Sequence, residues 1–314
     1  MGHSQIVCVT GAGGFIGAHL LSALSEKGVT IRILSRSEVE HSKAGVETYI
    51  GDLIDRNSLV PFLAGADLLI NLAHPAALVS DVEFSSAISN LAISAREACL
   101  KRVLHTSTAM VVGKSLGNVV DELSELRPVS AYERRKCLAE TIIQEELSGT
   151  VDVGVIRPTA VFGSGSQNLL KLAATIIDGP VWRREVLRFV HGTRRMHLVN
   201  VDDVVAAICF LAFSERSLCG NVFLVSADEE PENNYQAVDS ILGKAMGKPG
   251  PKKSTALPHF ILKALLAVAG RSQSNPQLFF DGSKLKSWGF NRSAAFEIKL
   301  SEFAQNYIAA KGSK

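Results

Sequence analysis

A glycine-rich stretch near the start of the chain constrains its fold more than any other feature. Ile6 to Val9 form a short apolar run typical of a buried strand, and Phe15 to Lys27 carry apolar residues at helical spacing. Gly11 and Gly14 lie between these two segments, and Gly17 follows in the first helical turn. A strand, a glycine turn and a helix in this order predict the first unit of an α/β fold.

Each glycine has a physical reason to be there. Gly11 allows a tight turn, Gly14 lets a phosphate approach the backbone, and Gly17 lets the helix pack closely on the sheet. The N-terminus of the helix offers unpaired N–H groups and the positive end of a dipole to a pyrophosphate. The stretch therefore predicts dinucleotide binding, and a glycine turn without a ligand is the alternative.

Composition narrows the function further. The 314 residues are 46% hydrophobic and 20% charged with a net charge of +2, which suits a globular protein and gives no reason to expect a nucleic-acid surface. Five scattered cysteines without a Cys-x-x-Cys pair indicate a reducing compartment and no metal site. The first strand begins at once and leaves no room for a signal peptide. We therefore expect a cytoplasmic protein.

Strand and helix patterns alternate through the first half and predict a Rossmann-type, doubly wound parallel sheet. The predicted strands are 6–9, 30–34, 46–50, 67–73, 102–106 and 151–156, and the predicted helices are 15–27, 55–63, 85–100 and 132–147. Residues 163–195 are expected to be loops. A helix at 202–213 and a strand at 221–225 return to the sheet. The expected division is a nucleotide domain at 1–163 with 197–227, and a smaller mixed C-terminal substrate lobe at 164–196 and 228–314.

Tyr132 and Lys136 are the strongest chemical signal. They are four residues apart, so they share one face of the predicted helix. A nearby ammonium and an oxidised nicotinamide would favour the tyrosine anion, which could then exchange a proton with a carbinol or carbonyl. The strand ending at Thr106 is followed by Ser107 and Thr108, where a hydroxyl could bond the reacting oxygen; backbone capping is the alternative.

With these motifs the chain resembles the extended short-chain dehydrogenases/reductases, the group of NAD(P)-dependent nucleotide-sugar epimerases, dehydratases and 4-keto reductases. The resemblance covers nearly the whole length and rests on a series of motifs in order. They are Thr10-Gly-x-x-Gly-x-x-Gly17, Gly51-Asp-Leu53, Asn71-Leu-Ala73, Thr106-Ser-Thr-Ala-Met-Val-Val-Gly113, Tyr132-x-x-x-Lys136, Arg157-Pro-x-x-Val-Phe-Gly163, Val199-Asn-Val-Asp-Asp203 and Asp281-Gly-Ser-Lys284.

The resemblance implies roles for individual residues. Tyr132 would be the acid/base, Lys136 would bond the nicotinamide ribose, and Thr108 would be the hydroxyl partner. The implied cofactor-binding residues are Gly11, Gly14, Phe15, Ile16, Gly17, Arg36, Asp52, Leu53, Leu72, Ala73, Thr106, Tyr132, Lys136, Pro158 and Val161. The implied substrate-binding residues are Ala76, Thr108, Asn168 and Arg195.

The chain departs from the family pattern at several positions. Val112 replaces a common tyrosine, and Arg135 replaces the usual serine before the lysine. Met196 stands where a pyrophosphate-binding arginine is expected, with Arg194 and Arg195 beside it. Together with Arg183 and Arg184, these arginines are either a solvated face or an anion pocket for a diphosphate, and the pocket is slightly favoured.

Arg36 decides the predicted cofactor. A carboxylate after the second strand would bind the ribose of NAD, but the residues there are Leu34-Ser-Arg36-Ser. An arginine suits the 2′-phosphate of NADP. We therefore expect NADP, with NAD as the alternative.

Three functions remain open. The first is an oxidoreductase or epimerase moving hydride at a sugar carbon of a nucleotide-sugar, as a 4-epimerase or 4-keto reductase. The second is an NADPH-dependent reductase of a small apolar carbonyl compound. The third, a non-catalytic dinucleotide sensor, is disfavoured because Tyr132, Lys136 and Thr108 are all present.

Further expectations concern partners. The apolar helix after Tyr132 predicts a homodimer. The apolar run 256–269 is too short to insert stably across a bilayer, and a core or subunit-contact helix is favoured over docking on a membrane surface. The histidines lack ligand spacing and are expected to be satisfied core or surface residues; His74 is the one nearest the predicted cleft.

Overall fold

The alternation predicted for the first half of the chain is present in the computed structural model, which describes residues 4–38, 45–75, 80–115, 117–250, 255–268 and 273–312. The strands are β1 Ile6–Thr10, β2 Thr30–Ser35, β3 Val46–Ile50, β4 Leu68–Asn71, β5 Arg102–Thr106, β6 Val119–Val120, β7 Asp152–Pro158, β8 Ala160–Phe162, β9 Leu198–Asn200, β10 Val222–Val225 and β11 Phe279–Phe280. The helices are α1 Phe15–Glu26, α2 Arg56–Leu63, α3 Asp81–Glu97, α4 Ala131–Leu147, α5 Leu170–Asp178, α6 Val181–His191, α7 Val201–Ala212, α8 Tyr235–Ala245, α9 His259–Val268, α10 Ser283–Ser287 and α11 Phe296–Gly312.

These elements form two compact units, each assembled from three segments of the chain. The first comprises Met1–Val111, Ser130–Arg157 and Val204–Phe223, and the second comprises Val112–Val129, Pro158–Asp203 and Leu224–Lys314.

The seven-stranded sheet has the order β10-β7-β5-β4-β1-β2-β3. Strands β1 to β5 and β7 pair in parallel, which confirms the predicted doubly wound α/β fold. From β1 the chain moves outward to β2 and β3, and it then returns to β4 on the other side of β1. Ligands of open α/β sheets bind in the crevice that such a reversal leaves at the carboxyl ends of the strands.

Helices α2, α3 and α4 contribute to one core of the first unit. Phe62, Phe84 and Ile143, from these three helices, belong to one buried cluster with residues of β4 and β5. The third helix begins four residues earlier than predicted because Ser80 and Glu83 form a capping box. Of the α4 residues that suggested a dimer, Ile143 and Leu147 lie in this core; the homodimer stays a prediction.

The second unit contains two small parallel sheets, β8–β9 and β6–β11. Its core includes side chains of α5, α8 and α11. The prediction of loops over 163–195 is wrong, because the segment holds the helices α5 and α6. Leu172 and Ile176 are spaced by one helical turn and are buried, and the Gly, Ser and Arg content of the segment hid this pattern.

Across the described residues, no helix combines the length and the apolar composition that crossing a membrane would require.

Candidate active site

The glycine turn after β1 is built for close approach of backbone atoms. Gly11 has a φ of +71°, and a Cβ there would lie 2.7 Å from the Ala73 nitrogen. A Cβ at Gly17 would collide with the carbonyl oxygens of Gly11 and Ala12, so Gly17 packs against the turn rather than the sheet, which corrects our expectation. A Cβ at Gly13 would meet nothing within 4 Å. The turn is therefore closed towards β4 and open at Gly13.

A cavity of about 380 Å³ lies against this turn in the first unit. Six of the predicted cofactor residues line it, namely Gly11, Gly14, Arg36, Asp52, Leu53 and Ala73. Gly14 is the N-cap of α1 and has no side chain to cap the helix, so the first-turn N–H groups have no side-chain cap there. A glycine-lined wall, a helix N-terminus and an arginine fit the phosphates of a dinucleotide.

Four other predicted cofactor residues do not line this cavity. Phe15 and Ile16 open α1, and the Leu72 backbone lies against Gly11. Thr106 ends β5. Ala76 lies outside the described residues.

A buried polar network lies beneath the turn and was not predicted. The Asn71 amide oxygen accepts hydrogen bonds from the Thr10 hydroxyl at 2.6 Å and from the Ala73 N–H at 3.1 Å. The Asn71 amide nitrogen lies 3.0 Å from His105 Nδ1 and, with its oxygen so engaged, is the donor. This network ties the carboxyl ends of β1, β4 and β5 together. Polar residues at the ends of three apolar strands were the signal that could have revealed it.

Only one ring nitrogen of His105, Nδ1, has a hydrogen-bond partner among the described residues, whereas we expected a core histidine with both nitrogens paired. Its Nε2 atom is buried and has no hydrogen-bond partner among the described residues. Burial, with Lys136 and His74 nearby, holds the pKa of His105 well below its ordinary value of 6.5. The ring is therefore neutral at physiological pH.

The structure brings the three predicted catalytic side chains together. Tyr132 and Lys136 lie one turn apart on α4, and the Tyr132 phenol hydrogen-bonds with the Thr108 hydroxyl. Lys136 is 5% exposed, and its Nζ donates a hydrogen bond to the Thr106 carbonyl at 2.9 Å. Burial lowers the pKa of Lys136 from 10.5 to about 8, an effect that Glu140 opposes.

The chain's own groups do not lower the Tyr132 pKa, and the predicted stabilisation of its anion, which included an oxidised nicotinamide, stays a prediction. Burial raises the pKa of Tyr132 above its ordinary value of 10, and the hydrogen bond with Thr108 opposes this only in part. The cause is desolvation, which disfavours the anion. The phenol therefore keeps its proton at neutral pH.

His74 connects Tyr132 to a stack of side chains on α3 and α4. The His74 ring meets Tyr132 edge-on at 5.1 Å and Phe84 at 5.7 Å between centroids. The Arg135 guanidinium lies 5.6 Å from the centre of the Phe84 ring and donates to Asp81 at 2.8 Å. Burial, Lys136 and Arg135 lower the pKa of His74 to about 4. Arg135, which replaces the usual serine of the family, is thus held by contacts with Phe84 and Asp81.

Glu140 and Arg157 form a buried ion pair one turn along α4 from Lys136. The guanidinium donates to the carboxylate through Nε at 2.9 Å and through Nη2 at 2.5 Å. Both side chains are about 95% buried. This pair neutralises two charges inside the first unit, and no local sequence pattern predicts it, because its partners are 17 residues apart.

Four predicted residues near the substrate or nicotinamide belong to the second unit or its boundary. Pro158 ends β7 and Val161 lies in β8. The Asn168 amide donates to the Val161 carbonyl at 2.7 Å. Arg195 donates to the Asp228 carbonyl, and its guanidinium lies 5.1 Å from the centre of the Phe279 ring.

The expected anion pocket of arginines is wrong for Arg184. This side chain is buried and donates to both Asp239 carboxylate oxygens, at 2.8 and 3.0 Å. Arg188, also buried, donates to the same carboxylate. The two guanidinium groups share one buried anion of the protein itself.

Comparisons with known proteins agree with this arrangement. The NAD dependent epimerase/dehydratase family matches residues 7–225. A ketoreductase of Stigmatella aurantiaca, which acts on 4-hydroxy-2-methyl-3-oxo-4-farnesyl-3,4-dihydroquinoline-1-oxide, is 32% identical over 69% of this chain and 67% of its own length. The 2-alkyl-3-oxoalkanoate reductase of Stenotrophomonas maltophilia is 26% identical over 79% of this chain and 78% of its own.

A solved structure extends the likeness to the whole chain. DesIV, a dTDP-glucose 4,6-dehydratase of Streptomyces venezuelae crystallised with NAD, superposes with a TM-score of 0.72 at 19% identity over 98% of each chain. At that identity the likeness concerns the fold alone. Across eight curated relatives, the match spans between 51% and 78% of their length. The family match and the relatives together identify this chain as an enzyme of the NAD dependent epimerase/dehydratase family, within the extended short-chain dehydrogenases/reductases.

Proposed function

We propose that this chain is an NADPH-dependent ketoreductase that reduces the carbonyl group of an apolar compound. The observation that carries the proposal is that Arg184 and Arg195, two of the cations predicted to bind a diphosphate, are engaged by acceptors of the protein itself. Reduction of a carbonyl also needs a proton donor beside it, and the protonated Tyr132 phenol can fill this role.

The proposed roles follow from this arrangement. Bound NADPH supplies the hydride. Tyr132 gives its phenolic proton to the carbonyl oxygen, and the Thr108 hydroxyl bonds the same oxygen and orients it. Lys136, with a pKa of about 8, is mostly cationic at pH 7 and favours the phenolate that remains.

The preference for NADPH over NADH rests on Arg36. Ser35 and Arg36 line the cavity at the end of β2, where a carboxylate would bind the ribose of NAD. A guanidinium bonds a 2′-phosphate through charge-assisted hydrogen bonds. We therefore propose NADP(H), and retain NAD(H) as the alternative to be measured.

Two observations support a keto compound over a nucleotide-sugar. Both curated relatives described above are named for the reduction of a keto group. In the second unit, to which we assign the substrate lobe, Arg184 is held by Asp239 and Arg195 donates to the Asp228 carbonyl. These arginines are thus engaged within the protein, whereas a diphosphate would need cations directed at it.

The test is a direct competition between the two substrate classes. NADPH oxidation is followed with aromatic ketones and 2-alkyl-3-oxoalkanoates, and in parallel with UDP- and dTDP-linked sugars, with Tyr132→Phe as the inactive control. Thermal unfolding is measured with and without UDP, since a ligand at 100 times its Kd adds about 2.7 kcal/mol of stability.

We expect turnover of ketones that depends on Tyr132, and no rise in the unfolding temperature with UDP. Stabilisation by UDP together with conversion of a nucleotide-sugar would overturn the proposal in favour of a 4-epimerase or 4-keto reductase. Binding of NADPH without turnover of either class would favour the dinucleotide sensor.

A further inference from the structure

Helix α6 of the second unit buries charged side chains and exposes apolar ones, the reverse of an ordinary surface helix. Its buried side includes Arg184 and Arg188, which share the Asp239 carboxylate. Its solvent side carries Trp182, at 66% exposed, with Val186 and Phe189 following at spacings of four and three residues. A surface helix normally buries its apolar stripe and exposes its charges. The apolar stripe of α6 therefore lies on its solvent side, with between 42% and 66% of each of these three residues exposed.

Helix α9, in the same unit, also exposes apolar side chains. Leu262 and Leu266 are buried, but Phe260 is 75% exposed and Val268 is 89% exposed. Of the two predicted alternatives for this run, a core helix describes only the narrow buried stripe, and a subunit-contact helix stays a prediction. Leu265, between them, is half-exposed.

The two helices meet at their ends. The Leu257 N–H, just before α9, donates to the Phe189 carbonyl of α6 at 2.8 Å. Thr193 Oγ1 and His259 Nε2 are 3.3 Å apart. The exposed apolar residues of both helices therefore belong to neighbouring elements, and we call them the α6–α9 surface: Val181, Trp182, Val186, Phe189, Phe260, Leu265 and Val268.

The charges around this surface indicate what covers it. Among the described residues from 248 to 268, Lys248 and Lys263 are exposed cations and there is no Asp or Glu. Within the described helices themselves, Arg183 and Lys263 are exposed, and Glu185 is the acidic residue of α6. Exposed aromatic and aliphatic residues flanked by cations are typical of helices that lie in the interface of an anionic bilayer. The core of a protein–protein interface is instead depleted of lysine.

We propose that the α6–α9 surface docks on an anionic phospholipid membrane, with Trp182, Phe260 and Val268 entering the interface. Docking of this kind is peripheral and leaves the chain on one side of the bilayer. It stands apart from the proposed ketoreductase activity, although it would hold the enzyme where apolar substrates partition.

The test is co-sedimentation with vesicles of phosphatidylcholine alone and of phosphatidylcholine mixed with phosphatidylglycerol. We expect binding to the mixed vesicles that weakens with salt, and at least about tenfold weaker binding to pure phosphatidylcholine. Trp182 and Trp288 are the two tryptophans of the chain, so Trp288→Phe isolates Trp182. Its fluorescence should shift to shorter wavelength when the mixed vesicles are added.

Matched variants separate this surface from general effects of charge. Phe260→Asp and Val268→Asp should weaken vesicle binding at least about tenfold, since each loses apolar burial and adds a like charge. Leu123→Asp is the control, because Leu123 is 92% exposed in the same unit but lies outside the surface, and it should bind as the wild type does. Tyr132→Phe should also bind normally, which keeps this proposal separate from the catalytic one.

Three outcomes would overturn the proposal. They are the absence of sedimentation with mixed vesicles at low salt, equal loss of binding in Leu123→Asp and Val268→Asp, and a dimer in light scattering that Val268→Asp dissociates. The last outcome would assign the surface to a second copy of the chain.

Discussion

The N-terminal end of α4 and the α6–α8 contact of the second unit both bury cations, but they compensate them differently. Lys136 is buried against a carbonyl oxygen, and its pKa falls to about 8. Arg184 and Arg188 are buried against the Asp239 carboxylate. A buried cation without a carboxylate in contact stays chemically responsive, whereas one held by a carboxylate serves architecture. The contrast separates a candidate catalytic cation from a structural pair.

Tyr132→Phe should produce the largest effect on the catalytic side of the comparison. The ring stays and only the proton donor is lost, so kcat should fall by about 10²–10⁴-fold while NADPH binding is retained. Steady-state kinetics and fluorescence titration of NADPH would measure the two quantities. A variant that keeps more than about a tenth of kcat would contradict the role given to Tyr132.

Asp239→Ala should produce the largest effect on the structural side. It leaves two buried guanidinium groups without their anion, which typically costs about 3–5 kcal/mol in unfolding free energy. Denaturant unfolding would measure this loss. Glu229→Ala, which removes a half-exposed carboxylate paired with Lys286 and Arg292, is the control and should cost far less. Equal losses of unfolding free energy in Asp239→Ala and Glu229→Ala would contradict the view that the buried Asp239 pairs stabilise the protein more than the exposed Glu229 pairs.

Lys136→Met should stabilise the protein and should do so in a pH-dependent way. The Lys136 pKa falls from 10.5 to about 8, and at about 1.4 kcal/mol per unit the buried charge costs up to roughly 3 kcal/mol. Below pH 8 the lysine is charged in both the folded and the unfolded chain, so the full cost of burying the charge lowers the free energy of unfolding. Between pH 8 and 10.5 the unfolded chain binds more protons, and wild-type stability rises with pH.

The advantage of Lys136→Met in unfolding free energy should therefore be greatest at pH 7 and should shrink towards pH 10.5. Arg157→Met is the matched comparison: it leaves Glu140 buried and unpaired and should destabilise the protein instead. A Met variant at position 136 that is less stable than the wild type at pH 7 would mean that the lysine is structurally paired after all.

Arg36→Asp should invert the preference between the two cofactors. The loss of a charge-assisted contact is worth roughly 1.5–3 kcal/mol, and a carboxylate facing the 2′-phosphate adds repulsion. The ratio of kcat/KM for NADPH over NADH should fall at least about tenfold, with NADH use held or improved. A wild type that already prefers NADH, or an unchanged ratio, would make Arg36 a surface residue only.

His74→Ala should produce the smallest effect, through the position of Tyr132. The edge-on contact at 5.1 Å is lost, and an aromatic contact of this kind is worth about 0.5–1.5 kcal/mol. We expect kcat to fall by about three- to tenfold with the Kd for NADPH unchanged. His74→Phe keeps the ring and should restore most of the rate. Failure of Phe to restore it would indicate a polar role for the imidazole.

Much of the first unit could be predicted because its signals are local. The glycines, the strand periods and the Tyr132–Lys136 spacing lie within short windows of sequence. The strand β5, for example, has the predicted bounds 102–106. The start of α3 was missed because its capping box, Ser80 and Glu83, overrode the periodicity on which the prediction relied.

The second unit was harder to predict in part because helix α6 breaks the usual amphipathic rule. In α6, arginines take the inner positions and apolar residues the outer ones, so a period of 3.6 gives the wrong side as the core. Asp239, 55 residues after Arg184, makes this inversion possible. No local window of sequence contains both partners.

The sequence by itself determined the fold class, the position of the glycine turn and the helix that carries Tyr132 and Lys136, because backbone sterics and helical spacing act over a few residues. Only the tertiary structure decided the electrostatics of these groups. Desolvation and contacts between residues far apart in sequence raise the Tyr132 pKa, lower that of Lys136 and engage Arg184 with Asp239. These effects depend on which groups the fold places side by side and on how much water it removes from them.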